Sequence, residues 1–507
     1  MIPSKAYAEL KKRMMEISML NSTAGVLHWD QEAYLPAKAV DHRAEQLAQI
    51  SRLTHEWFTA PQVGELMDTI EASDLITDCE SAEAVNVREW RRMYERETKL
   101  PVDLVEDFVR TTSKASSIWA EARKKSDFSL FQPSLERIVD LCRRKADFIG
   151  YDKEKYEALL DEFEPRAKVA DIEKIYSGLR TELVELIGKI KDAPRKPDIG
   201  IIKRPYDLTR QKVFAESVSQ AIGYDYKAGR FDEAVHASCN EMGPLDVRVL
   251  TRYYTDDIAE GLTSAMHEVG HALYDMTRPN KVHWGTPMGE TASLGIHESQ
   301  SRLWENMVGR SNEFWQYFFP QLQQLFRKEL AGATRDDFYG AMNWVSPSYI
   351  RVEADEATYN LHVMLRFDME RAIIAGDIKV SDIPGEWNKR FKDYFGFEVN
   401  NDANGCLQDI HWSHGIFGYF PTYTLGNLYA AQYWSQALKD LPNLLDDFKR
   451  GQFSRLFEWL GEKIHTPGSK YDAPDLCRRV TGSKLSHKPL LDYLYEKYSG
   501  IYGISRN

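Results

Sequence analysis

Apolar residues recur at three- and four-residue intervals from the start of the chain to about residue 192, as in LPVDLVEDFVRTTSKASSIWAEARKK (100–125). That period gives a continuous buried face only to a helix, so the first part of the chain is expected to be a succession of amphipathic helices. The segment APRKPDIGIIKRPYD (193–207) gathers three prolines and a glycine, which stop a helix and mark a subdomain boundary rather than a flexible linker. Beyond it, DVRVLTRYY (246–254) alternates as a strand does, and helical spacing returns from about 257 to the end, with breaks near Pro287, Pro384, Gly405 and Pro467. The expected fold class is mainly α with a small β-sheet. It is read as a single unit over 1–507, with an N-terminal helical part (1–192) and a second part (208–507) that carries the chemistry.

Within the returning helical pattern, DIAEGLTSAMHEVGHALYD (257–275) contains HEVGH. His267 and His271 stand at i and i+4, on one helix face, so two imidazoles can meet one cation. Glu268 is rotated about 100° further round, which suits it to take a proton from the attacking water rather than to bind the metal. A catalytic zinc takes a third protein ligand from another element. Glu290, Glu298 and Glu305 are the candidates; Glu298, beside His297 in the helical stretch TASLGIHESQSRLWENM, is chosen. Glu305 and Glu290 are expected on solvated faces, with Glu290 an alternative partner for an imidazole. The strand before this helix is expected to be an edge strand able to pair with an extended peptide.

Two further segments read as binding elements. GCLQDIHWSHGIFGYFPTYTLG (405–426) combines two histidines, five aromatics and four glycines. His411, His414, Tyr419 and Tyr423 are placed there to donate hydrogen bonds to substrate or to a developing oxyanion. In IRVEADEATYNLH (350–362), Arg351 suits capture of a terminal carboxylate, or a salt bridge to Glu353, Asp355 or a neighbouring helix.

Composition narrows the partners. A net charge of -12 argues against nucleic acid and anionic membranes, and no apolar run approaches the roughly 20 residues of a membrane span. Five scattered cysteines form no CxxC pair, and the first twenty residues lack the apolar core of a secretory signal, so a reducing, cytoplasmic setting is expected.

Taken in order, LHWDQEAYLPAKAVDHRAEQLAQIS (27–51), DVRVLTRY, HEVGHALYD, GIHESQSRLWEN, IRVEADEATYNLH and QDIHWSHGIFGYFPTYTLGN resemble the carboxypeptidase Taq family of metallocarboxypeptidases across nearly the whole chain. The resemblance implies an elongated helical fold with a deep central groove, a homodimer, and one divalent metal per chain, zinc first, with cobalt or manganese as alternatives. It matches His267, His271 and Glu298 to the metal ligands, Glu268 to the catalytic acid, and Arg351 to the arginine of IRxxAD. Gln408, Asp409, His411 and Trp412 match QDxHW, and Tyr423 falls where related enzymes place an oxyanion-stabilising tyrosine. Two motifs depart: HPF reads His236-Ala237-Ser238, and DxRxT reads Asp246-Val247-Arg248-Val249-Leu250. His236, Asp246 and Arg248 survive, so the strand and its salt bridges are expected to persist, with His236 and Arg248 kept as substrate-side candidates.

The implied activity is release of single C-terminal residues from peptides, with Glu268 as general base and His414 and Tyr423 on the oxyanion. The rivals are an endo-acting oligopeptidase using the same site and a metal-stabilised protein without turnover.

Overall fold

The computed structural model describes residues 1–506, apart from the side chains of residues 280 and 281. Helices dominate, and three short strands form one sheet among the described residues. The chain makes two compact units and passes between them at 97/98, 197/198, 342/343, 429/430 and 484/485. One crossing falls inside the proline-bearing segment, but the first 192 residues are themselves shared between the units.

The first unit comprises residues 1–97, 198–342 and 430–484. Its opening helix, Pro3–Ala33, buries Ala6, Leu10, Met14 and Ile17 against Val63, Met67, Ile70, Val87 and Trp90. The sheet consists of β1 (Gly229–Glu233), β2 (Ser238–Gly243) and β3 (Asp246–Thr251), in the order β1-β3-β2. β3 runs parallel to β1 and antiparallel to β2, with an irregularity at Glu241/Gly243. The strand foreseen at 246–254 is therefore real, but it is central and not an edge. Both its backbone sides are taken by neighbours, so it cannot pair with a peptide; the edges are β1 and β2.

β3 leads into the helix Ile258–Thr277. Asp257 caps it by accepting from Ala259 N and Glu260 N, which gives the helix a defined start. The tail of the proline-bearing segment is bonded to this start, Ile258 N donating to Ile202 O at 3.2 Å and Tyr206 N to Thr255 O at 2.7 Å. Most of the helix is buried, from Ile258 to Asp275, as expected of an element packed on several sides. At Gly270 a Cβ would stand 2.6 Å from Ser301 Cα and 2.8 Å from Gln300 O, so the absent side chain lets the helix Leu294–Arg302 approach backbone to backbone.

The second unit comprises residues 98–197, 343–429 and 485–507. Its centre is the helix Tyr359–Ala375, buried nearly all round, with Leu361, Val363, Met364, Leu365, Phe367 and Met369 among the packed side chains. The helices Val102–Lys125, Phe128–Ile149 and Val169–Lys191 carry the apolar stripes that the first part of the sequence announces.

Candidate metal centre and active site

The i, i+4 spacing of HEVGH and the close helix pair together make the first cluster. Ligand atoms of His267, His271 and Glu298 lie within 4.8 Å of one another. Glu298 Oε2 is 3.5 Å from His267 Nε2 and 3.4 Å from His271 Nε2. Glu298 reaches this position because Ser293 caps its helix by accepting from Ile296 N, and because Gly270 admits that helix.

The donor set suits a divalent cation. Burial drives His271 down to about 4, so it is a neutral imidazole with a lone pair to give. Burial pushes the Glu298 carboxyl up, but Arg302 and the two histidines outweigh it and hold it well below its usual range, as an anion. Arg302 Nε donates to Glu298 Oε1 at 2.8 Å and leaves Oε2 facing the imidazoles. His267 Nδ1 lies 2.9 Å from Glu305 Oε2. Against burial, Arg302 and His267 pull the Glu305 carboxyl down to about 2; an ionised carboxylate only accepts, so the ring donates Nδ1–H to it and turns Nε2 toward Glu298. Burial lowers the His267 pKa, but Glu298 and Glu305 outweigh it and raise it, so a cation at Nε2 takes the place of a proton.

Glu305 is thus buried behind the ligands, on a π-helical turn (Leu303–Val308) that continues the Glu298 helix, and not on a solvated face. It stands seven residues after Glu298, two helical turns on, and that register was the available signal. Glu290 is exposed as expected, but it pairs with Arg278 Nη1 at 2.9 Å rather than with an imidazole.

Glu268, also buried, is pushed up to about 7, chiefly by desolvation, with His267 partly opposing the rise. A further network backs the site. His297 stacks on His271 with ring centroids 4.4 Å apart, and its Nε2 is 3.1 Å from Asp275 Oδ1. Cys239 Sγ on β2 sits 3.7 Å from Asp275 Oδ2, and Arg278 pairs with Asp275 and with Glu241 on the same strand. The edge strand β2 is thereby tied to the metal helix.

The expected strand salt bridge is present: Arg248 forks onto Asp246 at 2.8 Å through two bonds and lies over the Trp29 ring at 4.3 Å. Its guanidinium is occupied within the sheet. His236 is exposed between β1 and β2.

In the second unit, Arg351 is buried and its partner is Asp409, neither Glu353 nor Asp355. Nε and Nη2 donate to Asp409 Oδ1 at 3.0 and 2.8 Å, and Nη1 donates to Tyr359 Oη at 3.0 Å. Arg366, almost wholly buried, donates Nε to Asp409 Oδ2 at 2.6 Å. Burial would raise the Asp409 carboxyl, but the two guanidiniums hold it far below its ordinary range. Two cations share one anion, and the trio carries one surplus positive charge.

Gln408 completes this cluster. Its Oε1 accepts from Arg351 N at 3.0 Å and Arg366 Nη2 at 2.8 Å, while Nε2 donates to Tyr349 O at 2.8 Å and Asn404 O at 2.7 Å. Both ends of the amide are committed to protein groups. The guanidinium of Arg351 also lies over the Tyr423 ring at 4.8 Å, and Tyr423 Oη is 3.4 Å from His411 Nε2. Burial lowers His411 to about 4, so it is neutral. Tyr419 packs on Tyr423 with centroids 5.3 Å apart, and His414 is exposed at the end of the turn His411–His414.

Sequence and fold comparisons agree with this chemistry. Residues 9–498 match the family described as carboxypeptidase Taq (M32) metallopeptidase. The chain is 42% identical to thermostable carboxypeptidase 1 of Thermus thermophilus over 513 residues, covering 99% of this chain and 100% of that one. It is 37% identical to carboxypeptidase 1 of Bacillus subtilis, covering 98% of each. The crystal structure of a carboxypeptidase from Deinococcus radiodurans superposes with a TM-score of 0.95 at 36% identity, covering 99% of this chain and 100% of that one. With the matched length, the fold and the two-histidine, one-glutamate cluster all in accord, the chain belongs to the carboxypeptidase Taq family of metallopeptidases.

Proposed function

We propose that the protein is a metal-dependent carboxypeptidase that releases single residues from peptide C-termini, with one divalent cation per chain held by His267, His271 and Glu298. The observation that carries this reading is the convergence of the three ligand side chains beside the buried carboxyl of Glu268. The chemistry supplied by a cation held there is polarisation of the scissile carbonyl and a lower pKa for the attacking water.

The chain's own residues do the rest. Glu268, poised near neutrality, takes a proton from water at a carboxylate oxygen and returns it to the leaving amine. Glu305 fixes the His267 ring through Nδ1. Tyr423 and His414 donate to the oxyanion. Arg351 and His411 receive the substrate's terminal carboxylate, and the surplus positive charge of the Arg351–Asp409–Arg366 trio supports that assignment, because an incoming carboxylate would neutralise it. Gln408 acts by holding Arg351 and Arg366 in place. Tyr419 lines the same cluster, and His236 belongs to the loop between β1 and β2.

Zinc is the proposed resident metal, with cobalt or manganese accepted by the same donors. The proposal extends to a homodimer, to 1–507 acting as one catalytic unit, and to a cytoplasmic setting that suits five unpaired cysteines. No helix among the described residues is long and apolar enough to cross a membrane.

The test is a peptide ladder digested by the zinc-loaded protein. Stepwise loss of single C-terminal residues from free acids, with C-terminally amidated peptides left intact, is the expected result; equal trimming of amides, or internal fragments, would overturn the exopeptidase reading.

A further inference from the structure

One buried acid in the second unit has no part in the chemistry above. Glu370 lies on the central helix Tyr359–Ala375 and is completely buried. Its Oε1 accepts from Trp412 Nε1 at 2.8 Å. Its Oε2 accepts from Gly418 N at 3.0 Å and from Tyr156 Oη at 2.7 Å. Trp412 directly follows His411, and Gly418 directly precedes Tyr419. A single carboxyl therefore grips the residues next to both aromatic ends of the segment that also carries His414.

The rest of the packing explains why that grip matters. Gly418 has φ +93°, and a Cβ there would stand 2.7 Å from Leu160 N, so the segment is pressed onto the backbone of Lys155–Leu160. Trp412 stacks on Phe417 with an interplanar angle of 3°. Desolvation is the largest influence on the Glu370 carboxyl and pushes it up to about 7, while its three donors and Arg366 draw it down. A buried acid is costly without partners, and here two of its three donors, Trp412 and Gly418, belong to one loop, while the third, Tyr156, stands on the helix Lys155–Leu160 against which that loop is pressed.

We propose that Glu370 is a positioning residue for peptide hydrolysis, holding the His411–Gly418 segment in its working geometry through Trp412 and Gly418. The proposal rests on the reading that His411 and His414 face the substrate.

The experiment uses the full-length, zinc-loaded protein and an N-blocked peptide with a free C-terminus. It measures kcat per folded, zinc-loaded chain, KM and Tm for the parent, Glu370→Gln, Trp412→Phe and the double variant. Trp412→Phe removes the N–H but keeps a ring, so it tests the link even if Glu370→Gln fails to fold. Each single change is expected to lower kcat about ten- to a hundredfold with KM within about threefold, since misplaced groups lose their alignment with the reacting centre. The double variant is expected to lose no more than the worse single, because both changes break one connection. Parent-like kcat in Trp412→Phe, or losses that multiply in the double, would overturn the proposal. Parent-like kinetics in both His411→Ala and His414→Ala would instead sink the substrate-facing reading, whereas losses there beside an unimpaired Glu370→Gln would remove the positioning role alone.

Discussion

His267 and Glu305, 38 positions apart, meet at 2.9 Å through Nδ1 and Oε2, so the orientation of a ring proposed to bind the metal is set by a carboxylate on the π-helical turn Leu303–Val308. Glu305→Ala frees the ring and its tautomer. Zinc affinity is expected to fall about 10- to 100-fold, the usual range for losing such a partner. Competition with a chromophoric chelator measures it, and an affinity indistinguishable from the parent would refute the role.

Glu268→Gln keeps the shape of the side chain and removes its capacity to take a proton. The variant is expected to bind zinc stoichiometrically by elemental analysis and to lose about 10²- to 10⁴-fold in kcat. Retention of even a tenth of parental turnover would point to another base.

Gly270→Ala places a methyl against Ser301 Cα and Gln300 O, both backbone, which cannot rotate away. Overpacking of this kind costs about 1–3 kcal/mol. Zinc binding should weaken alongside, because the displaced helix Leu294–Arg302 bears Glu298. Gly188 is the control: nothing lies within 4 Å of its Cβ position in the helix Val169–Lys191, so Gly188→Ala should be neutral or stabilising by about 0.4–1 kcal/mol. Urea titrations of the two variants that shift alike would contradict the packing argument.

The folded-state pKa of Asp409 is depressed, so as pH falls the unfolded chain takes up the proton first. Its stabilisation is complete above the unfolded value of about 3.9 and disappears as pH drops through the lower folded value. Asp409→Asn leaves Arg351 and Arg366 buried without their anion, an expected loss of about 3–5 kcal/mol at neutral pH. It should also flatten the acid limb of the stability curve below about pH 4. Denaturant melts across the acid range check both, and an acid limb identical to the parent's would rule out the linkage.

Much of the metal site could be read along the chain because its geometry is local. An i, i+4 histidine pair must share a helix face, and a glutamate between them must point beside it. The choice of Glu298 over Glu290 and Glu305 rested on helical periodicity and on its place beside His297, and the family resemblance agreed with it independently. Glu305 was misjudged because burial depends on what packs against a helix, and its own residues do not carry that information. The same holds for β3: alternation revealed a strand, but its central place depends on β1 and β2 arriving from either side.

Helical period, turn chemistry and ligand spacing are short-range constraints, set by backbone geometry within a few residues, and they were sufficient for a mainly α protein with an HExxH metal helix. The pairing of Arg351 with Asp409 across 58 positions, the ring lock of His267 on Glu305 and the contact that needs Gly270 are different in kind. Each joins groups whose separation along the chain says nothing about their distance in space, so only burial of charge and close packing in the folded molecule select the partner.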